Sequence, residues 1–271
     1  MSVFGHYEAD SWLGRRNPTA KLGAHLIISL LLTVVFDPLT PLAFLGATIA
    51  VGKALGGIGV GMQLRALLPI WLLSLSLVVS NALFASDSAA AWILWSWGPF
   101  VATVEGALLG LSLAERGVAI AALTLLLVST TDPEDLVRSL MQNAHLPARI
   151  TYPTLAAYRT LPLLAEDWET IRLAHRLRSH GARGGPIERI RANGAQAVAL
   201  LATAIRRAER TALAMDSRGF GGGGQRTHYL LVPFGAADIW LLVTAFTGGA
   251  GILAISAWLG LLELWSGRFG A

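Results

Sequence analysis

The chain of 271 residues contains no cysteine, which excludes a disulfide framework, a thiolate zinc site, an iron–sulfur cluster and a thiol nucleophile. Charge is scarce too: 14% of the residues are charged and 54% are hydrophobic, whereas a soluble domain carries about a quarter charged. A water-soluble enzyme does not fit that balance. The pattern G-x-x-x-x-G-K-[ST] is also missing, so the chain has no phosphate-cradling loop and cannot itself supply ATP hydrolysis. Gly221 to Gly224 follow a helical pattern rather than a strand and lack an adjacent lysine, which makes them a flexible joint. His175 and His180 are five residues apart and miss the i, i+4 geometry of a helical zinc pair, so no metal site is expected.

What is abundant is long apolar sequence. A first run, Leu22 to Phe36, reaches about a membrane-spanning length if its helix starts at Pro18, and it stops at Asp37-Pro38; a second begins near Leu39 and fades into Gly52 and Lys53. Ala66 to Ala85 and Ile239 to Leu262 are uncharged throughout. Between them, Val101 to Leu113 and Gly117 to Thr131 form either one long tilted helix or an interfacial segment followed by a span. These runs predict an all-α polytopic membrane protein with about five transmembrane helices. Small residues such as Gly248, Gly249 and Gly251 would let the last helix approach its neighbours closely.

The remaining charge is concentrated. From Asp132 to His228 there are 14 basic and 9 acidic residues, a net of +5 inside a chain flanked by apolar runs. Arg15, Arg16 and Lys21 precede the first span, and Lys53 and Arg65 lie between the second and third. The loops around Asp37 and from Ser86 to Pro99 hold no Lys or Arg. Cationic segments stay on the cytoplasmic side, which predicts a cell-membrane protein with its N-terminus and its charged insert in the cytoplasm. Trp92, Trp95 and Trp97 suit an outer interfacial belt. The organisation expected is a membrane region over 1–131 with about four spans, a cytoplasmic helical region over 132–228, and a C-terminal span within 229–271.

Inside the insert, Asp132-Pro133-Glu134-Asp135 opens a short helix that runs to about Asn143, and Leu146-Pro147 follows it. A longer helix begins at about Pro153, with Ala157, Leu161, Leu164, Trp168 and Ile171 on one apolar face. Continuing the same steps reaches His175 and Arg178. The next helix opens at Gly185-Pro186 and repeats the design through Ile187, Ile190, Val198, Leu201 and Ile205 to Met215 and Arg218. Each apolar stripe thus leads to an arginine near a helix end, 40 residues apart. A cation there favours the helix dipole, and the planar guanidinium fork also suits a polar pocket on another protein. The nine acids and the apolar stripes fit packing against protein and membrane rather than nucleic acid.

The order of short motifs resembles the transmembrane T component of energy-coupling factor (ECF) transporters, which includes the cobalt-transport permease branch. The residues carrying the resemblance are Asn17-Pro18-Thr19-Ala20-Lys21, Thr130 to Leu136, Leu146-Pro147, Arg159 to Pro162 with Glu166, Ala174 with Arg178, and Arg206 to Arg210 through Ala214 to Phe220. The resemblance implies a non-catalytic coupling subunit of an ATP-driven importer of a vitamin or transition-metal ion. Its partners would be two ATP-binding-cassette ATPase subunits and one substrate-binding membrane subunit, in a lipid bilayer. It also implies that this chain binds no cofactor, ATP and Mg being used by the ATPases. By the same resemblance Arg178 with Ser179 and Arg218 with Ser217 and Gly219 would dock on the ATPases. Arg183-Gly184 is an alternative first docking element, and Arg159, Pro162, Glu166, Ala174 and Ala214 would support the coupling helices. The alternative function is a self-sufficient membrane permease or membrane enzyme that acts without an ATPase.

Overall fold

The computed structural model describes residues 11–84, 93–97, 100–178, 185–220 and 229–260. Its elements in chain order are α1 (Pro18–Thr33), α2 (Leu39–Ala54), α3 (Val60–Phe84), β1 (Ile93–Trp97), β2 (Phe100–Thr103), α4 (Val104–Thr130), α5 (Pro133–Asn143), α6 (Ala148–Arg178), α7 (Pro186–Ser217) and α8 (Ala236–Trp258). The fold is all-α and polytopic apart from one antiparallel hairpin. Helices α3, α4 and α8 are long and apolar enough to cross a bilayer, and α1 and α2 are shorter apolar helices. Each of these two has 16 residues and rises about 24 Å, somewhat less than a ~30 Å hydrocarbon core.

The segment before Thr130 is one continuous helix, capped by Thr103, whose hydroxyl oxygen accepts the Gly106 amide at 3.3 Å. Val101 to Thr103 are strand rather than helix: β1 pairs with β2 with Trp95 opposite Ala102 and Trp97 opposite Phe100. The aromatic and β-branched residues of both segments favour an extended backbone. Trp92 lies outside the described residues.

The chain divides into two compact units, one running to Asn143 and resuming at Val232, the other comprising Ala144–Leu231. In the first unit, Leu32, Phe44, Leu45, Leu67, Val118 and Leu123 form the buried core. Helices α3 and α4 meet backbone to backbone, because a Cβ at Gly110 would stand 2.7 Å from the Val78 Cα. Of the three glycines expected to allow close approach on α8, Gly249 does so: a Cβ there would meet Leu31 at 2.7 Å, whereas Gly248 and Gly251 have nothing within 4 Å. Asp37 starts α2 by accepting the Thr40 amide at 2.7 Å, and Ser112 on α4 donates to the Asp37 carbonyl at 3.1 Å.

One end of this unit is tied by polar groups. Asn17 caps α1 through its side-chain oxygen, which accepts the Thr19 amide at 2.9 Å and the Ser139 hydroxyl at 2.6 Å. Its amide nitrogen donates to the carbonyls of Val232 (3.3 Å) and Pro233 (3.1 Å), and its backbone N–H donates to Asp238 at 2.9 Å. Lys21, one turn on, donates to the Thr130 carbonyl at 2.6 Å, placing a cation on the negative end of α4. Gln142 accepts the Val232 amide at 2.9 Å, so the chain leaving this unit at α5 and the chain returning before α8 are held side by side. These bonds place α5 with the membrane helices, and the compact boundary falls after Asn143.

The second unit is the helix pair α6 and α7. Helix α6 starts a turn earlier than the prolines suggest, because the Pro147 carbonyl accepts the amides of Ile150 (2.9 Å) and Thr151 (3.3 Å). Pro153 and Pro162 are both carried inside the helix. The two helices run antiparallel: Tyr152 near the start of α6 meets Phe220 just beyond α7, ring centroids 5.8 Å apart and edge-on, while Asp167 and Arg207 pair at 2.9 Å further along.

Candidate functional site

Helix α7 ends in a closed backbone cap. The Phe220 amide donates to the Met215 carbonyl at 3.0 Å and the Gly219 amide to the Asp216 carbonyl at 2.9 Å, the double bond of a Schellman motif. That motif needs a left-handed residue, and Gly219 has φ +73°. Phe220 then packs its ring against Tyr152. Arg218 is the C-cap residue, so its side chain leaves the helix from a fixed backbone and is exposed. Ser217 folds its hydroxyl back onto the Ala214 carbonyl at 3.0 Å, and Ala214 is exposed one turn before Arg218.

Arg178 is the last residue of α6 and is exposed, with exposed Ala174 one turn before it. The antiparallel arrangement sets the two arginines apart. Arg178 lies eleven residues beyond Asp167 along α6, and Arg218 lies eleven residues beyond Arg207 along α7. With Asp167 and Arg207 paired, each arginine stands about 16 Å of helix from the same ion pair, in opposite directions. The pair thus presents two cationic tips about 33 Å apart along the helix path, related by an approximate local twofold.

Arg159, Pro162 and Glu166 follow one another at i, i+3 and i+7 on α6 and are all exposed, a continuous surface face. Ser179, Arg183 and Gly184 lie outside the described residues. The apolar stripe of α7 is uncovered, from 80% exposure at Ile187 to 50% at Ile205. On α6, Leu161 is exposed while Leu164, Trp168 and Ile171 are half-buried. An apolar surface of this extent on a helix pair marks a place where something else packs.

Sequence reasoning did not single out Asp167, Arg207, Tyr152 or Phe220 as the contacts that set this geometry. A signal was present: Asp167 and Arg207 are 40 residues apart, the same offset as Ala174 to Ala214 and Arg178 to Arg218. Among the described residues no group of three or more His, Cys, Asp or Glu could hold a metal ion.

Fold and site together define a polytopic membrane protein with an inserted pair of long helices that end in exposed arginines. The profile of the cobalt transport protein (CbiQ) family matches residues 9–229, and the chain belongs to that family, the T-component class of ECF transporters. It is similar to the energy-coupling factor transporter transmembrane protein EcfT of Acidaminococcus fermentans, 29% identical over 86% of this chain and 88% of the relative. The protein of the same name from Brevibacillus brevis is 28% identical over 86% and 90% of the two chains. That of Leuconostoc gelidum is 32% identical over 63% and 65%.

Proposed function

We propose that this chain is the coupling subunit of an ATP-driven ECF-type importer. It would join two ATP-binding-cassette ATPase subunits to a substrate-binding membrane subunit for uptake of a vitamin or a transition-metal ion. What carries this is the placement of Arg178 and Arg218, exposed tips at equal helix path on either side of the Asp167–Arg207 ion pair. Two equivalent tips suit two equivalent partners, and a guanidinium pairs bidentately with carboxylates and carbonyls in a groove. Ser217 and Gly219 fix the chain around Arg218, and Ser179 would do so around Arg178, with Arg183-Gly184 as the alternative first element.

ATP and Mg act in the ATPases, and this chain contributes no catalytic group. Closure of the ATPase pair would move the two tips, and α6 and α7 would pass the displacement to the substrate-binding subunit through their exposed apolar stripes, a sliding contact of the shear type. The Lys and Arg distribution puts the N-terminus and the helix pair on the cytoplasmic side of the cell membrane. Charge reversal tests this. Arg218→Glu is expected to abolish both copurification with the ATPases and ATP-dependent uptake. Persistence of both would overturn the docking role, and uptake by the chain reconstituted alone would point instead to a self-sufficient permease.

A further inference from the structure

The membrane unit contains a cavity that none of this machinery uses. Its volume is about 680 Å³, within the ~300–1,000 Å³ that small-molecule sites span. It is lined by α1, α2, α4 and α8 together with Trp12 and Leu13, and its walls are mostly apolar. Along α8 the lining runs from Leu241 to Ile252, a rise of about 16 Å, roughly half the ~30 Å hydrocarbon thickness. The cavity is therefore about one leaflet deep. It also opens sideways, since Val51 on α2, Leu55 at its C-cap, and Thr244 and Gly248 on α8 are exposed lining residues.

Its chemistry is ordered along that depth. At the end where α1 begins stands Lys21, whose ammonium spends two of its three N–H groups on the carbonyls of Thr130 (2.6 Å) and Gly14 (3.4 Å). Trp12 lines the same end, with the Arg16 guanidinium 4.7 Å over its ring. One helical turn deeper, His25 lines the cavity beside the Leu123 backbone, and its buried Nδ1 has no hydrogen-bond partner among the described residues. Below that, Ile28, Phe44, Leu123 and Ile252 offer only hydrocarbon. A phospholipid presents phosphate, then ester, then acyl chain in the same order and over the same depth.

We propose that this cavity binds one anionic phospholipid, its phosphate beside Lys21 and Arg16, its ester group beside His25 and an acyl chain along Phe44, Leu123 and Ile252. Lys21 stands in the field of the Asp238 and Asp135 carboxylates, so the preference for an anionic over a zwitterionic headgroup rests chiefly on Arg16 beside the Trp12 wall, and the sideways opening gives access from the bilayer. The inference does not depend on the docking arginines, which lie in the other compact unit.

The test uses the full-length chain with whatever subunits copurify, in detergent, supplied with phosphatidylglycerol or phosphatidylcholine and read by native mass spectrometry. One phosphatidylglycerol per chain is expected, retained about ten-fold over phosphatidylcholine, since basic side chains at the membrane surface favour an anionic lipid. Gly248→Phe should cut that retention about ten-fold by filling the cavity, a Cβ at Gly248 meeting nothing within 4 Å. Arg16→Glu should erase most of the headgroup preference. Equal retention of the two lipids, or retention unchanged by Gly248→Phe, would overturn the proposal. A photo-crosslinking residue in place of Thr244 gives a readout that needs no cavity-filling variant. A phospholipid adduct supports the site, and an adduct to another protein or to this chain's own N-terminal segment contradicts it.

Discussion

The two compact units use their polar residues in opposite ways. In the membrane unit, Asn17, Lys21, Ser139 and Asp238 are all buried and bonded to other elements, so four helices are fixed at one end. In the helix pair most charges and much of the apolar stripe face outward, and the contacts between the helices include a half-buried ion pair and an edge-on ring contact. The first pattern secures a structure; the second leaves a surface available. A coupling element needs both, a fixed root and an uncovered working face.

This contrast can be broken most severely at the tips. The double substitution Arg178→Glu and Arg218→Glu should remove ATP-dependent uptake by about 100-fold or more at a cost in stability of only about 1–2 kcal/mol, from acids placed at two negative helix ends, because the α7 cap itself is made by backbone groups. Uptake in vesicles and a melting curve in detergent separate the two effects. Asn17→Ala should do the reverse, destabilising the membrane unit by about 3 kcal/mol through a lost cap and unsatisfied carbonyls at Val232 and Pro233. Denaturation in mixed micelles measures it.

Smaller effects sharpen the picture. Gly219→Ala forces a Cβ into φ +73° and should cost roughly 1–2 kcal/mol at the end of α7, with a weakened ATPase contact because Arg218 loses its fixed backbone. Gly219→Asn should recover part of both, as judged by copurification yield. The smallest effect is expected from Asp167→Asn, about 0.5–1 kcal/mol for a half-exposed pair, and exchanging Asp167 and Arg207 should restore it in a double-mutant cycle.

Much of the helical layout is legible from composition and periodicity alone. Asp132-Pro133 and Gly185-Pro186 mark helix starts that the structure places at Pro133 and Pro186, because capping chemistry is local. The β1–β2 hairpin is not legible in the same way: Ile93 to Thr103 is a short apolar stretch whose period does not separate strand from helix. The α6 start is misread from Pro153, since the Pro147 carbonyl closes the first turn ahead of it. At the site, the arginine ends and apolar stripes can be read from the chain, whereas their opposed directions cannot. Antiparallel pairing is a tertiary fact, set by Tyr152 against Phe220 and Asp167 against Arg207. The polar junction around Asn17 joins residues more than 200 positions apart, beyond the reach of any local pattern.

Because the chain has no native cysteine, a single Cys at 178 and another at 218 can each carry a photo-crosslinker without background. In the assembled transporter both positions should capture an ATPase, and the doubly labelled chain should yield a product bearing two ATPase polypeptides. If the complex is intact and neither position captures an ATPase, both reacting instead with bulk reagent as freely as in the isolated chain, the two tips are not where the motor grips.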